Sequence, residues 1–460
     1  MASRDIHLVG SIPLADAAEV FSMVAGKLGG CCKRLPDGET GDRLTWIRWQ
    51  DHVFRDHPQL DAIESEGDYR NATAVVQSTA GTKKMTHTTW WKIKDGVAPK
   101  DLEMRSLGYA DCAIASYEEF KRQKEAGVIP AETRFLAAIP SPFNVLNSAI
   151  APRDRIRVEP AYEAQMRQEI DQIASAIPHD ELAIQWDNAH DMQAFEGARQ
   201  SYFPFHQDGI AERLIRFGDY VPADIELGYH FCYGSFGGKH FVEPVNMAPM
   251  VDLANRLAAG VNRSVEFIHM PVPIERDDDP YFQALTNLKL KPETELYLGL
   301  IHDKDGVDGT RRRMATADKY VTDYGIATEC GFGRRPAADL IPYIGLGTRH
   351  TCAQCVPGID FASAPEPGVA SAVIRGLDRV PRSAFEADCI VCRRSEGAVV
   401  QCTTPGCTLN FHPLCARRNG WLLSEAEFQN SKRHAFCGRH SMAERRRLEA
   451  GGDPRAVGGG

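Results

Sequence analysis

Asp224-Ile-Glu-Leu-Gly-Tyr-His-Phe-Cys232 is a short, mostly apolar run that ends on two metal-capable side chains. A stretch at 250–260 with apolar residues three to four apart follows it, and a second apolar run spans 264–270. A strand, a helix and a strand in that succession make a parallel crossover. The same alternation extends in both directions. Candidate strands fall at 6–10, 31–35, 135–139, 182–187, 224–232, 264–270, 295–301 and 325–330, with helical stretches such as 162–176 between them. Eight strand–helix units over roughly 350 residues predict an α/β fold of the (β/α)8 TIM-barrel type. The segment 51–127, polar and without a clear strand pattern, is expected to be its main insertion.

The last part of the chain follows a different rule. Cys389-x2-Cys392, Cys402-x4-Cys407, His412-x2-Cys415 and Cys437-x2-His440 are eight ligands in the order of a cross-braced zinc module. Zinc takes four thiolate or imidazole ligands, so two interleaved sets staple a segment too short to bury a core. Cys389, Cys392, His412 and Cys415 are expected to hold one ion, and Cys402, Cys407, Cys437 and His440 the other. The expected division is a barrel at 1–348, a small finger at 349–443 and a flexible tail at 444–460, where only 451–460 is of low complexity.

Composition agrees with one enzyme-sized domain and an appendage. The 460 residues are 43% hydrophobic and carry a formal net charge of −9, which disfavours the whole protein lying on nucleic acid. No apolar run approaches the roughly 18 residues of a membrane span, and the first ten residues do not read as a leader. Thirteen cysteines, mostly in metal-like pairs, argue for a reducing compartment. The expected location is therefore intracellular, in cytoplasm, nucleus or both, with no membrane partner.

In a barrel of this kind chemistry sits at the C-terminal ends of the strands. His230 and Cys232 are two apart on a strand and share a face. Cys330 ends the last expected strand, and either Glu266 or His269 on the run 264–270 is available as a fourth ligand. Buried histidine and core cysteines are the alternative reading of the same residues.

The motifs Val9-Gly-Ser-Ile-Pro13, Asp37-Gly-Glu39, Pro142-Phe-Asn-Val-Leu-Asn147, Ile184-Gln-Trp-Asp187, His230-x-Cys232 and Glu329-Cys-Gly331 resemble, in order, those of cobalamin-independent methionine synthase, in its C-terminal catalytic barrel. The resemblance implies one zinc in the barrel on His230, Cys232 and Cys330. It also implies that the backbone of Val9, Gly10 and Ser11, together with the carboxylates of Glu39 and Asp187, holds the amino acid part of a small thiol substrate such as homocysteine. The implied activity is transfer of a methyl group to that thiol, as in methionine biosynthesis. His269 stands where the family has a glutamate ligand, with Glu266 three residues earlier. Ser148 replaces a tryptophan that packs near folate in the family, and the family's second barrel is absent from this sequence, so the methyl donor is open.

Gly397-Ala-Val-Val-Gln-Cys402, Phe411-His-Pro-Leu-Cys-Ala416 and Phe436-Cys-Gly-Arg-His440 look like the second finger of an extended PHD domain. The stretch 352–381 is similar to the segment that joins that domain's zinc knuckle to its finger. The knuckle's upstream Cys-x2-Cys pair is missing, so two zincs are expected in the finger. The resemblance implies a histone, DNA or protein partner. A different reading makes the barrel an inactive scaffold and the finger the working part.

Overall fold

The computed structural model describes residues 5–333, apart from 65–72, 79–80, 87–88, 235–239, 241–242 and 303, and beyond 333 only short strands and single positions between 360 and 439. Contacts divide the chain into two compact units, Arg4–Ile344 and Gly345–Gly460 with Met1–Ser3.

In chain order the strands of the first unit are β1 (Ile6–His7), β2 (Arg34–Pro36), β3 (Leu60–Glu64), β4 (Thr73–Ser78), β5 (Gly81–Thr86), β6 (Thr89–Ile93), β7 (Arg134–Pro140), β8 (Leu182–Asn188), β9 (Glu226–Phe231), β10 (Phe267–Pro271), β11 (Glu295–Ile301) and β12 (Gly325–Thr328). Eight of them make one sheet in the order β1-β12-β11-β10-β9-β8-β7-β2, and every ladder in it is parallel. Its two ends, β1 and β2, are successive barrel strands in the chain. Beyond them the Ile12 N–H donates to the Gly38 carbonyl at 2.7 Å, so the sheet is a nearly closed barrel, as expected. Parallel strands are covered on both faces, which is why they read as continuous apolar runs. All seven residues of β8 are buried.

The helices are α1 (Ala17–Leu28), α2 (Asp51–Phe54), α3 (Tyr109–Glu125), α4 (Pro142–Ala149), α5 (Arg155–Ala176), α6 (Ala189–Phe195), α7 (His206–Tyr220), α8 (Ala248–Gly260), α9 (Asp279–Phe282) and α10 (Gly306–Ala317). The expected stretches 162–176 and 250–260 fall in α5 and α8. α5 begins earlier than expected and carries Pro160 in its second turn.

Inside the barrel, Leu136, Ala183, Phe267 and Tyr297 form a buried layer. Gly228 on β9 is required there, because a Cβ would come within 2.1 Å of the Phe267 ring. Below this layer Arg34, 4% exposed, lies 4.3 Å from the Phe267 centroid and pairs with Glu226 and with Glu295 (2.9 Å). Lys33 and Arg134 join the same carboxylates, so the N-terminal end of the barrel is closed by an ionic cluster. An arginine so deeply buried is tolerated only because both partners are close.

The segment 51–127 differs from expectation. It is not free of strands: β3 pairs antiparallel with β6, and β4 with β5. It also contains α3, which packs against α1 and α5 as a barrel helix. The strands escaped notice because their alternation is blurred: in β3 Leu60 is buried but Ala62 is exposed, and in β6 the apolar Trp90 stands beside the buried Trp91. A ladder held mainly by backbone pairing leaves little apolar alternation to read.

In the second unit the described residues include β13 (Asp360–Ala362) paired with β14 (Val373–Arg375), β15 (Val400–Gln401) with β16 (Asn410–Phe411), and β17 (Leu423–Ser424) with β18 (His434–Ala435), all antiparallel. The β15–β16 pair ends next to Cys402 and His412 in the chain. Cys407 is described and half-buried. The other expected finger ligands, Cys389, Cys392, Cys402, His412, Cys415, Cys437 and His440, lie outside the described residues.

Candidate metal centre and substrate site

β9 carries His230 near its end and Cys232 just beyond, β12 leads into Cys330, and the ligand atoms of these three residues lie within 4.8 Å of one another. The Cys232 and Cys330 sulfurs are 3.7 Å apart. A disulfide needs about 2.05 Å, whereas two thiolates on one tetrahedral zinc, each at about 2.3 Å, stand roughly 3.8 Å apart. Two sulfurs and one imidazole with this spacing fit zinc and leave one tetrahedral position for an outside ligand, the arrangement of a catalytic site.

The two alternatives for a fourth ligand separate cleanly. Glu266 precedes β10, at the N-terminal end of the barrel. Its carboxylate accepts from the Leu227 N–H at 2.6 Å and from Arg263 at 3.1 Å, away from the cysteines. His269, two residues into β10, is fully buried and its Nδ1 lies 2.7 Å from His230 Nδ1. It is not among the three mutually close ligand residues.

The proton positions follow from the partners. Thr328 O, 3.1 Å from His269 Nε2, can only accept, so His269 Nε2 carries a proton. Burial, with His230 and His7 beside it, holds His269 well below the usual histidine range, so it is neutral and its Nδ1 accepts. His230 Nδ1 therefore donates, and its Nε2 keeps the lone pair that a metal requires.

Glu39 and Asp187 arrive at the same mouth. Glu39, after β2, is buried in a left-handed backbone conformation (φ 50°), strain on the order of 1 kcal/mol for a residue with a side chain. Its carboxylate lies against Gly10, where a Cβ would be 2.7 Å from Oε1. Burial first, then the Asp187 and Asp37 carboxylates, push Glu39 well above the ordinary range. Asp37 behaves differently: burial works against it, but Arg43, the Glu39 N–H and Ser116 keep its carboxyl below the usual value. Asp187, 3% exposed at the end of β8, accepts from Gln185 Nε2 at 2.7 Å. Gln185 Nε2 also donates to the Val9 carbonyl (2.6 Å), and its Oε1 faces His7 Nε2 (2.7 Å). Burial and the nearby Arg34 take His7 down to about 3, so it is a neutral donor in this chain of bonds.

The backbone of Val9 and Ser11 is partly committed within the protein. The Val9 carbonyl takes Gln185; the Ser11 carbonyl accepts from Phe332 N–H (2.6 Å) and its hydroxyl from Gly333 N–H (3.2 Å). Ser11 thus braces the loop that presents Cys330.

Sequence reasoning missed His7, Gln185 and His302. His302 immediately follows β11, is buried, and has Nε2 on the Val272 carbonyl (2.8 Å) and Nδ1 4.0 Å from Glu329. The strand-end rule that found His230 and Cys330, applied to the run 295–301, finds His302 too. His7 and Gln185 point into a barrel interior that no pattern in the chain announces.

Among known proteins, the PHD-like zinc-binding domain family matches residues 349–441, so the chain carries a zinc-binding domain of that kind at its C-terminal end. The chain is 27% identical over 209 residues to Protein Jade-1 of Danio rerio, covering 37% of this chain and 24% of that protein. It is 26% identical over 188 residues to E3 ubiquitin-protein ligase Jade-2 of Homo sapiens (34% and 23%). With Histone H3-lysine(4) N-trimethyltransferase ATX1 of Arabidopsis thaliana it shares 32% over 76 residues (15% and 7%). The chain spans less than a quarter of the length of each of these relatives. Solved structures similar to it include a B12-independent methionine synthase from Shewanella sp. W3-18-1 in complex with selenomethionine, at 13% identity and TM-score 0.47, covering 76% of this chain and 96% of that one. A methyltransferase from Methanosarcina mazei matches at 12% identity and TM-score 0.41, covering 72% and 86%. The barrel itself rests on its own strand order and needs neither likeness.

Proposed function

We propose that the barrel is a zinc-dependent methyltransferase acting on a small amino thiol such as homocysteine, and that the C-terminal finger docks the protein on a histone or another protein. The observation that carries the first half is the 3.7 Å pair of sulfurs beside His230, with two buried carboxylates at the same mouth. Zinc, when bound, lowers the pKa of a thiol ligand and so makes thiolate available near neutral pH. The chain's own residues do the rest. His269 keeps His230 in the tautomer with a free Nε2. The Asp187 carboxylate raises the cost of ionising Glu39, and an ammonium group beside them would relieve that repulsion. The walls of the mouth are buried, which excludes water from a charge-sensitive step.

The second half follows from the finger family and from relatives whose names include a histone H3 methyltransferase. It supports a location inside the cell, in cytoplasm, nucleus or both. Among the described residues no helix is long and apolar enough to cross a membrane.

A second reading has the barrel as an inert scaffold. It is favoured by one observation: the His230–His269 bond and the Cys232–Cys330 contact also pair these side chains with one another without any metal. Zinc stoichiometry separates the two. The full chain should hold about three zincs, falling to two in Cys232→Ser, and should methylate a thiol in the presence of a methyl donor. Two zincs in both proteins would leave the finger's metals alone and sink the methyltransferase proposal.

A further inference from the structure

A second cluster at the C-terminal rim of the barrel belongs neither to the metal centre nor to the carboxylate pair. Arg48 lies on the segment after β2, Arg155 at the start of α5, Arg199 after α6, and His190 three residues beyond Asp187. All four are fastened to α4 or to Ile150 just past it. Arg48 Nη2 donates to Ser148 Oγ (3.4 Å), Arg199 Nη1 to Asn147 Oδ1 (3.1 Å), Arg155 Nε to the Ile150 carbonyl (3.0 Å), and the His190 N–H to Asn144 Oδ1 (2.6 Å).

The end of α4 explains part of this, because helix C-termini attract cations. It does not explain the imbalance of charge. Among the described residues the carboxylate nearest Arg48 is that of Asp51, 3.9 Å from Nη1, and no carboxylate lies within 4.0 Å of Arg155. Neighbouring acids are committed elsewhere: Asp154 pairs with Arg157 (2.6 Å), and Glu159 with Arg213 (2.7 Å). Burial presses Arg48 and Arg155 each down to about 10, and holds His190 well below the usual histidine range, with the three arginines adding to that effect.

Two polar atoms of the cluster are also buried without a hydrogen-bond partner among the described residues: Arg48 Nη1 and His190 Nδ1. A buried donor on a charged group is costly to leave unmet. Guanidinium forks gathered at a cleft are the usual recognition device for planar carboxylate and for phosphate.

We propose that Arg48, Arg155, Arg199 and His190 form a binding site for a carboxylate- or phosphate-bearing ligand. A single anion seated against α4 accepts from Arg48 Nη1 and supplies a counter-charge to Arg48 and Arg155. Asn144 ties this site to the thiol mouth, since its Nδ2 donates to the Asp187 carbonyl at 2.7 Å while its Oδ1 holds His190. A ligand whose acidic end fills the arginine cluster can therefore reach towards Asp187. Identifying that ligand as the group donor rests on the proposed function; the anion site does not.

The test uses the full chain with inorganic phosphate and with glutarate as separate probes, at constant ionic strength in chloride, read by calorimetric titration and thermal melting. The wild type should bind one probe saturably and melt higher in it, and which probe binds tells phosphate from carboxylate chemistry. Arg48→Gln and Arg155→Gln should each weaken binding about tenfold or more, and in chloride alone Arg48→Gln should melt no lower than the wild type. Cys232→Ser should keep the anion binding, so failure of the barrel metal would count against the proposed function alone. Absence of saturable binding for both probes would overturn the site. So would equal binding by the arginine variants, or a melting loss of the same size with and without probe, which is what bracing of α4 alone predicts.

Discussion

Replacing His269 by alanine separates an orienting residue from a ligand. The side chain is fully buried, bonded to His230 Nδ1 at 2.7 Å and to the Thr328 carbonyl at 3.1 Å. His269→Ala leaves that carbonyl without its partner, which costs about 1–3 kcal/mol of fold stability, and frees the His230 ring to rotate or to change tautomer. Loss of a partner that orients a metal-binding histidine typically weakens the metal by about 10- to 100-fold, or about 1.4–2.7 kcal/mol. The expected result is that the variant still takes a third zinc at saturation, with that affinity lowered by one to two decades while the finger sites serve as an internal reference. Competition with a chromophoric chelator reads all three sites on one sample. His269→Gln, whose amide can still donate to Thr328 O, should recover part of the fold stability and less of the zinc affinity. An unchanged third site would refute the tautomer argument. Outright loss of the third zinc, as in Cys232→Ser, would make His269 a ligand and refute the three-ligand geometry.

Further outcomes follow from the same mouth. Asp191 is buried, accepts from Ser141 Oγ (2.6 Å) and Asn144 Nδ2 (2.9 Å), and burial lifts it to about 7 despite the Ser141 bond. The fold therefore holds a proton that the unfolded chain has lost between about pH 4 and pH 7, and this group's contribution falls as pH rises through that window. Asp191→Asn should remove a few kcal/mol of that dependence, measured as the difference between the two denaturation curves across pH; a constant difference would show that Asp191 is ionised in the fold. Gly10→Ala puts a Cβ 2.7 Å from Glu39 Oε1 and must move that carboxylate. Its binding of an amino thiol should weaken about tenfold or more with zinc content intact, and unaltered binding would remove Glu39 from the substrate site.

Much of this protein is legible before any coordinates. Strands covered on both faces are mostly apolar even where single polar residues enter the interior, so all eight barrel strands fall in or beside apolar runs of the sequence. The two-residue period of a strand puts His230 and Cys232 on one face, and the spacing of the finger's cysteines and histidines is a local constraint that survives without a fold. The β3–β6 ladder was not legible, because neither strand alternates: Ala62 is exposed two residues after the buried Leu60, and Trp90 stands beside the buried Trp91.

The fate of Glu266 and His269 was decided by the tertiary structure. Three residues of strand, roughly 10 Å, carry one to the N-terminal end beside Arg263 and the other to His230. The same is true of the polar chain from His7 through Gln185 to Asp187, and of three arginines and a histidine drawn from positions 48, 155, 190 and 199. Such sites are made by closing a barrel, which brings together residues that no local pattern relates. Sequence alone determined the barrel strands and which side chains could bind a metal; closure determined which of them meet, because distance in the barrel depends on strand order and register rather than on separation along the chain.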